Sequence, residues 1–188
     1  MCLKNNVASN STRHMDKARY NSNVTLRRPP RNGPRGKLGR HMRVGSGAVC
    51  DKITAMQTLR LTTTEKCVMV NITADVKRLV QESGVRRGLC LIHAPHTTAG
   101  ICIQEGYDPD VARDITRALN EQVPDEGDYQ HAEGNSPAHI KSLITGTGQV
   151  LPIEYGTLQL GRWQAVFFCE FDGPRERTAW VQIINAER

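Results

Sequence analysis

Three histidines on separate predicted connecting segments carry the most useful chemistry in this sequence. His96 lies in the connector PHTT, and His131 and His139 lie in the stretch YQHAEGNSPAHIKS, residues 129–142. Neutral imidazole is the commonest metal ligand in proteins, and three histidines with an open fourth position form a known catalytic metal arrangement. Their spacing does not itself bring the three together. A partly buried histidine satisfied by a backbone carbonyl therefore stays the alternative for each.

Two glutamates at the ends of predicted apolar strands are the candidates for acid–base catalysis. Glu105 ends the run AGICIQE, and Glu170 lies near the end of RWQAVFFCEF. Side chains at strand ends often point into a site at the rim of a sheet, where a carboxyl group can donate or accept a proton. The alternative for each is a solvated strand end.

Hydroxyl, amide and cationic side chains near the histidines would suit a phosphate group. Amides at the start of a helix predicted from Pro137 would add further donors. The sequence contains no GxxxxGK[ST] and no GxGxxG motif, so the usual nucleotide-binding fingerprints are missing. It also contains no nucleophile elbow and no CxxC motif. The candidate phosphate contacts are Thr97, Thr98, Asn135, Ser136, Lys141 and Arg175. For the segment DGPRER, an ordinary tight turn is the alternative.

These side chains would be positioned mainly by β-strands. Alternation and short aliphatic runs predict strands at 57–63, 67–72, 88–94 and 99–105 and at four places after residue 148. The first two strands are predicted to pair as a hairpin. Helices are predicted over 74–83, from Asp108 and Pro109 to about Gln122, and over 137–145 with Ser136 as N-cap. The fold class is therefore α+β, mainly β: an antiparallel, jelly-roll-like β-sandwich with two or three helical connections.

The spacing of apolar residues predicts which helix faces point inward. In the last two helices these residues are Val111, Ile115 and Leu119, and then Ile140, Leu143 and Ile144. His139 would lie beside the Leu143 edge of the inward face. The positive end of the helix dipole would favour its neutral form.

The first part of the chain differs in composition from the rest. Residues 1–50 contain eleven Lys or Arg and one acidic residue, in a chain of formal net charge +6. With little apolar periodicity, residues 1–55 are predicted to be a disordered basic extension, and residues 56–188 the folded domain. The extension is open to three interpretations: a nucleic-acid-binding arm, a targeting segment, or an upstream addition without a role before a start at Met56. Nucleic acid is not expected as a partner except through this extension.

The sequence favours a cytoplasmic protein. It has no apolar run of about 18 residues, so no membrane span is expected. No continuous apolar segment of the secretory type lies near the N-terminus, which argues against secretion. Cysteines in apolar strand-like runs indicate buried free thiols in a reducing compartment. These are Cys67, Cys90, Cys102 and Cys169.

Three motifs occur in order along the predicted domain. They are HTTAGICIQE at 96–105, YQHAEGNSPAHIKS at 129–142 and GTLQLGRWQAVFFCEFDGPRERT at 156–178. Together they resemble the YjbQ family, also called secondary thiamine-phosphate synthase enzymes. The resemblance implies a compact homotrimeric β-sandwich with a polar pocket near the subunit interface and a divalent metal, zinc or magnesium. The metal ligands it implies are His96, His131 and His139, and the other site residues are Glu105, Asn135, Gln164, Glu170 and Arg175.

The activity implied by the resemblance is the joining of a pyrimidine pyrophosphate to a thiazole phosphate with loss of pyrophosphate. A metal with Arg175, Lys141 and the threonine hydroxyls would suit such phosphorylated small substrates. The principal enzymes of this reaction are (β/α)8 barrels, which the short, strand-rich domain cannot form, so a side reaction stays open. The alternatives are a metal-dependent phosphoester hydrolase and a non-catalytic trimeric metal- or ligand-binding protein.

Overall fold

The computed structural model describes residues 53–186. The predicted extension lies almost wholly outside this range, so its disorder and its three interpretations stay predictions. Its last residues, 53–55, belong to the fold. Ile53 bridges Ile184, and the Thr54 amide donates to the Ile183 carbonyl at 3.0 Å. The described part of the fold thus includes three residues before the predicted boundary at residue 56.

Eight strands and three helices make up the part of the chain that the structure describes. The strands are β1 (Gln57–Thr62), β2 (Val68–Asn71), β3 (Arg87–His93), β4 (Ala99–Glu105), β5 (Gly148–Glu154), β6 (Thr157–Leu158), β7 (Gln164–Glu170) and β8 (Glu176–Asn185). The helices are α1 (Thr73–Glu82), α2 (Pro109–Gln122) and α3 (Ser136–Thr145). No helix within residues 53–186 is long and apolar enough to cross a membrane.

The strands form two antiparallel sheets. One has the order β1-β8-β3-β5-β6 and the other the order β2-β7-β4. The predicted mainly β, antiparallel α+β fold with helical connections is confirmed. The predicted hairpin of β1 and β2 is wrong, because β1 pairs with β8 and β2 pairs with β7. The chain changes sheet between β1 and β2, where the Thr63 amide is bonded to the Arg175 carbonyl at 2.9 Å.

The main core lies between the two sheets. Ile92 and Val181 from the larger sheet share one buried cluster with Ile101 and Phe168 from the smaller one. Helix α1 adds Val76 and its neighbours to the same cluster. The opposite face of the smaller sheet carries a second cluster that includes Phe167 and Cys169, beneath residues of α2 and α3. Two apolar layers therefore hold the smaller sheet in place.

The outer edge of β4 is occupied by neighbouring elements. Ser142 Oγ donates to the Ala99 carbonyl at 2.7 Å, and the Ile101 amide donates to the Gly146 carbonyl at 3.0 Å. Gln149 Nε2 donates to the Ile101 carbonyl at 3.2 Å. Gly100 permits this approach, since a Cβ atom there would lie 2.6 Å from the Gly146 carbonyl oxygen. The edge is thereby joined to the end of α3 and the start of β5.

Helix α3 packs with a different face from the predicted one. Its buried residues are Pro137, Ala138, Lys141 and Ser142. The predicted inward residues are exposed instead: Ile140 by 37%, Leu143 by 82% and Ile144 by 58%. The polar contacts of Ser142 with β4 and of Lys141 with Asn120 in α2 fix this rotation. Helix α2 also has no fully buried residue, and its predicted inward residues are half-buried.

Candidate functional site

His131 and His139 lie side by side on the surface. Their ring centroids are 5.3 Å apart and their planes are nearly perpendicular, at 73°. His131 Nε2 is also 3.8 Å from a carboxylate oxygen of Glu133. The two rings line an open depression of about 460 Å³. The structure therefore brings together two of the three predicted metal ligands.

The start of α3 determines where His139 is presented. The helix begins at Ser136, and Asn135 rather than Ser136 is the N-cap, without a capping hydrogen bond from its side chain. The predicted cap is wrong by one residue, since Ser136 already has helical geometry. His139 consequently lies in the first turn, where its amide is bonded to the Asn135 carbonyl at 3.4 Å.

Asn135 connects the histidine loop to the turn between β7 and β8. Its Nδ2 donates to Asp172 Oδ2 at 3.1 Å, and Arg175 Nη2 donates to the same oxygen at 2.7 Å. Asn135 Oδ1 is buried and has no hydrogen-bond partner among the described residues. A buried acceptor without a donor is costly, so this oxygen is suited to receive an N–H or O–H group from a ligand. The Arg175 side chain, which shares the Asp172 carboxylate with Asn135, is about half exposed.

A buried ion pair supports this turn from the inside. Arg177 donates to Glu170 through Nε at 2.7 Å and Nη2 at 2.6 Å, and Nη2 also reaches Thr98 Oγ1 at 2.9 Å. Such a two-pronged arginine–carboxylate contact is strong and geometrically specific. Arg177 was not among the predicted site residues. Its position seven residues after Glu170, across a turn, gives no sequence signal for the pairing.

The Glu170 carboxylate has three further donors. Thr63 Oγ1 lies 3.0 Å from Oε2, and the amides of Phe171 and Asp172 lie 3.0 and 2.9 Å from Oε1. Burial opposes ionisation, but the hydrogen bonds from Arg177 and the others outweigh it and hold the pKa of Glu170 below its usual range. The carboxylate is 0% exposed. Its acid–base role stays a prediction, and the geometry favours a role in fixing the turn.

His96 lies against β8. Its Nε2 is 3.1 Å from both the amide nitrogen and the carbonyl oxygen of Thr178. Its ring meets the Phe168 ring edge-on at 6.2 Å. Burial, together with the neighbouring Arg177 guanidinium, lowers the pKa of His96. When the neutral ring accepts the Thr178 amide, the lone pair that a metal would need at Nε2 is already in use.

The predicted three-histidine set does not come together in one chain. Within residues 53–186, no three His, Cys, Asp or Glu side chains are arranged to hold a metal ion. His131 and His139 offer two imidazoles. Any further ligand would have to come from a substrate, water or another subunit, and the metal site itself stays a prediction.

Several predicted site residues lie away from the histidine pair. In the antiparallel pairing of β4 and β7, Glu105 is opposite Gln164 and Glu170 is opposite Ala99. The two glutamates thus lie at opposite ends of the strand pair, about 20 Å apart, because a strand rises about 3.3 Å per residue. Gln164 Oε1 accepts the Gly161 amide at 2.8 Å. Glu105 and Glu170 therefore cannot serve one reacting centre within a single chain.

Four of the predicted phosphate contacts differ in how far they are exposed. Lys141 is 1% exposed, and its ammonium donates to Asn120 Oδ1 at 2.6 Å and lies 3.8 Å from an Asp125 oxygen. It joins α3 to α2 and has no face open to a ligand in this structure. Thr97 is exposed and Thr98 is buried on Arg177. Of the cationic candidates, Arg175 is the accessible one.

Comparison with known proteins identifies the family. Residues 57–186 match the family model described as UPF0047 protein YjbQ-like. The UPF0047 protein YugU of Bacillus subtilis is 45% identical over 131 residues, which is 69% of this chain and 99% of YugU. The UPF0047 protein YjbQ of Escherichia coli O157:H7 is 38% identical over 105 residues, 54% of this chain and 72% of that protein.

Solved structures show the same architecture. A YjbQ/UPF0047 family protein from Clostridium acetobutylicum has 49% sequence identity and a TM-score of 0.67, covering 68% of this chain and 99% of its own. A protein of unknown function from Sulfolobus solfataricus has 31% identity and a TM-score of 0.68, covering 71% and 98%. The family-model match over residues 57–186 includes the histidine pair, the buried ion pair and their connecting turn. The chain therefore belongs to the UPF0047, or YjbQ-like, family.

Proposed function

We propose that this protein is a cytoplasmic, metal-assisted transferase for phosphorylated small molecules. The reaction proposed joins a pyrimidine pyrophosphate to a thiazole phosphate and releases pyrophosphate, as the motifs that resemble thiamine-phosphate synthase enzymes imply. The observation that carries the proposal is the open pair of imidazoles, His131 and His139, with ring centroids 5.3 Å apart. Four free cysteines in the described part support a reducing location.

The groups around the pair have distinct parts in this proposal. Arg175, half exposed, would bind a substrate phosphate, since guanidinium matches phosphate oxygens in charge and geometry. Asp172 holds that guanidinium at 2.7 Å and so orients it. The buried oxygen of Asn135 would accept a hydrogen bond from a substrate amine, such as that of an aminopyrimidine.

The donor set fits a divalent cation in part. His131 and His139 would hold it, and imidazole ligands favour zinc over magnesium. A bound cation would neutralise charge that develops on the departing pyrophosphate. The remaining ligand positions would be free for substrate oxygens, because one chain supplies two imidazoles and no third residue of a metal cluster within residues 53–186.

Zinc binding tests the assignment directly. Calorimetric titration of the full chain with Zn²⁺ should show that His131→Ala and His139→Ala each weaken binding at least about ten-fold, or ~1.4 kcal/mol. His93→Ala is the matched control, since that ring packs against Trp180 at 5.7 Å and is not part of the pair. Equal zinc affinity in the wild type and in a His131→Ala/His139→Ala double variant would remove the metal assignment.

An activity assay then distinguishes the functions. Pyrophosphate release from the two proposed substrates should depend on both histidines and on Arg175. Hydrolysis of phosphoesters without joining of the substrates would favour the metal-dependent hydrolase. Zinc binding with neither reaction would favour the non-catalytic binding protein.

We also propose that the chain assembles as a homotrimer. A cyclic trimer requires two different complementary patches on each subunit. Two exposed apolar patches support this: one on α3, formed by Ile140, Leu143 and Ile144, and one on the larger sheet, formed by Leu89, Leu91, Val150 and Trp180. Exposed patches of this kind often mark protein–protein interfaces.

Light scattering after size exclusion tests the assembly. The wild type should have three times the mass of one chain, and Leu143→Glu should shift the mass toward one chain because it places a charge in the proposed interface. Tyr155→Asn is the control, since Tyr155 is 85% exposed at a positive φ that asparagine tolerates. A wild type with the mass of one chain would contradict the proposal.

A further inference from the structure

Two cysteine sulfurs are in contact on the outer face of the smaller sheet. Cys102 Sγ and Cys169 Sγ are 3.4 Å apart. Cys102 lies on β4 opposite Phe167, and Cys169 lies on β7 opposite Gly100. The two cysteines are thus diagonal neighbours on one face, and the glycine opposite Cys169 places no side chain beside it.

The other described cysteines have different surroundings. Cys67 Sγ contacts the Phe171 carbonyl at 3.7 Å and the Lys141 ammonium at 3.9 Å. Cys90 is fully buried in the core between the sheets. Among the described cysteines, the sulfur–sulfur contact therefore joins Cys102 to Cys169 and does not involve Cys67 or Cys90.

We propose that Cys102 and Cys169 form a reversible intramolecular disulfide when the protein meets a hydroperoxide. A disulfide bond is about 2.05 Å long, so the sulfurs must approach by roughly 1.4 Å. Rotation of the two side chains, together with a shift of β4 relative to β7, would have to supply this movement. This inference does not depend on the proposed function.

The oxidation can be written with hydrogen peroxide as the oxidant. Cys102, the more accessible of the two, attacks one peroxide oxygen as its thiolate. The O–O bond breaks and leaves a sulfenic acid and a hydroxide ion, and the hydroxide takes up the proton that the Cys102 thiol released and becomes the first water. Cys169 Sγ then attacks that sulfur, the S–O bond breaks, and a second water leaves. In total, two thiols are oxidised to one disulfide while one hydrogen peroxide is reduced to two waters.

The environment of the pair supports this order of attack. The hydrogen bond with Cys169 lowers the pKa of Cys102, while the same bond and burial raise the pKa of Cys169. The thiolate is the nucleophile, so the first step falls to Cys102. The resulting bond would link β4, which follows the segment of His96 to Thr98, to β7, which ends at Glu170.

Peptide mapping of the full chain tests the proposal. The protein is treated with hydrogen peroxide, free thiols are blocked with N-ethylmaleimide, and tryptic peptides are analysed without reduction. We expect residues 88–113 linked to residues 163–175. Before alkylation the intact chain should be lighter by two hydrogen atoms, and reduced glutathione added at that point should reverse both changes.

Variants identify the sulfurs, because residues 88–113 contain Cys90 as well as Cys102. The linked peptide should persist in Cys90→Ala and Cys67→Ser and disappear in Cys102→Ser. Cys102 is half-buried, so its serine variant should fold even if a change at buried Cys169 does not. Both thiols remaining open to alkylation after peroxide treatment, or a link that survives in Cys102→Ser, would overturn the proposal.

Discussion

Arg177→Met is expected to lower the free energy of unfolding by about 3–5 kcal/mol, because removing one partner leaves a buried carboxylate without its counter-charge. Glu170 is 0% exposed, and Arg177 supplies two of its hydrogen bonds at 2.7 and 2.6 Å. Methionine keeps much of the side-chain volume, so the loss reports the charge rather than a cavity. Urea unfolding followed by circular dichroism measures it.

A surface ion pair provides the control. Arg87 Nε lies 3.3 Å from Glu154 on neighbouring strands of the larger sheet, and both side chains are exposed. Arg87→Met should cost less than about 1 kcal/mol, since exposed pairs contribute little. Adding Glu170→Gln to Arg177→Met should recover part of the loss, because a neutral amide is cheaper to bury than a carboxylate. Equal losses for the Arg177 and Arg87 variants would refute this role of the buried pair.

The buried Arg177–Glu170 pair makes the free energy of unfolding depend on pH. The pKa of Glu170 is lower in the folded protein than its usual value. The stabilisation by the Glu170 carboxylate is therefore complete at pH values above its pKa in the unfolded chain. It is lost as the pH falls through its pKa in the folded protein. Between neutral pH and the acid range, the wild type should lose more stability than Arg177→Met. Parallel stability curves for the two proteins would show that the carboxylate is not the group responsible.

Phe168→Ala is expected to cost about 3–5 kcal/mol, the range for deleting a fully buried phenylalanine. Phe168 is 0% exposed and stands on β7 opposite both Val70 and Ile101, so its ring fills the centre of the core between the sheets. Its ring also meets the His96 ring in an edge-to-face contact, with 6.2 Å between the ring centroids. Thermal and denaturant unfolding measure the loss, and proton NMR follows the His96 ring.

Phe168→Leu separates the cavity from the ring contact. Leucine restores much of the lost volume, so less than half of the alanine effect should remain. The NMR chemical shifts of the His96 ring protons should differ from the wild type in both variants, because neither has an aromatic ring at position 168. A leucine variant as unstable as the alanine variant would show that volume is not what Phe168 supplies.

Local patterns in the sequence predicted most of the elements. AGICIQE alternates aliphatic residues and forms β4 at the predicted bounds, Ala99–Glu105. Helix α2 was predicted to open at Asp108 and Pro109. It begins at Pro109, and Asp108 caps it by accepting the Asp110 amide at 2.9 Å. Both signals are contained in a few neighbouring residues, and tertiary contacts do not oppose them.

The pairings and the buried polar contacts could not be predicted in this way. Alternation in β1 and β2 shows two strands but not that their partners are β8 and β7, far along the chain. The apolar stripe of α3 predicted an inward face, yet bonds from Lys141 and Ser142 turn the opposite side toward the protein. For the candidate site, the loop sequence placed His131 and His139 near each other, whereas the position of His96 depends on its contact with Thr178.

The occupied edge of β4 has a consequence for how copies of this chain can associate. An uncovered strand edge acts as a template on which another chain can add a strand, which leads to open-ended aggregates. On β4 the carbonyl of Ala99 and both polar backbone groups of Ile101 are already bonded to Ser142, Gly146 and Gln149. Strand addition at this edge would first have to break those bonds. Association by packing of side chains is therefore favoured here, and such association can stop at a closed assembly.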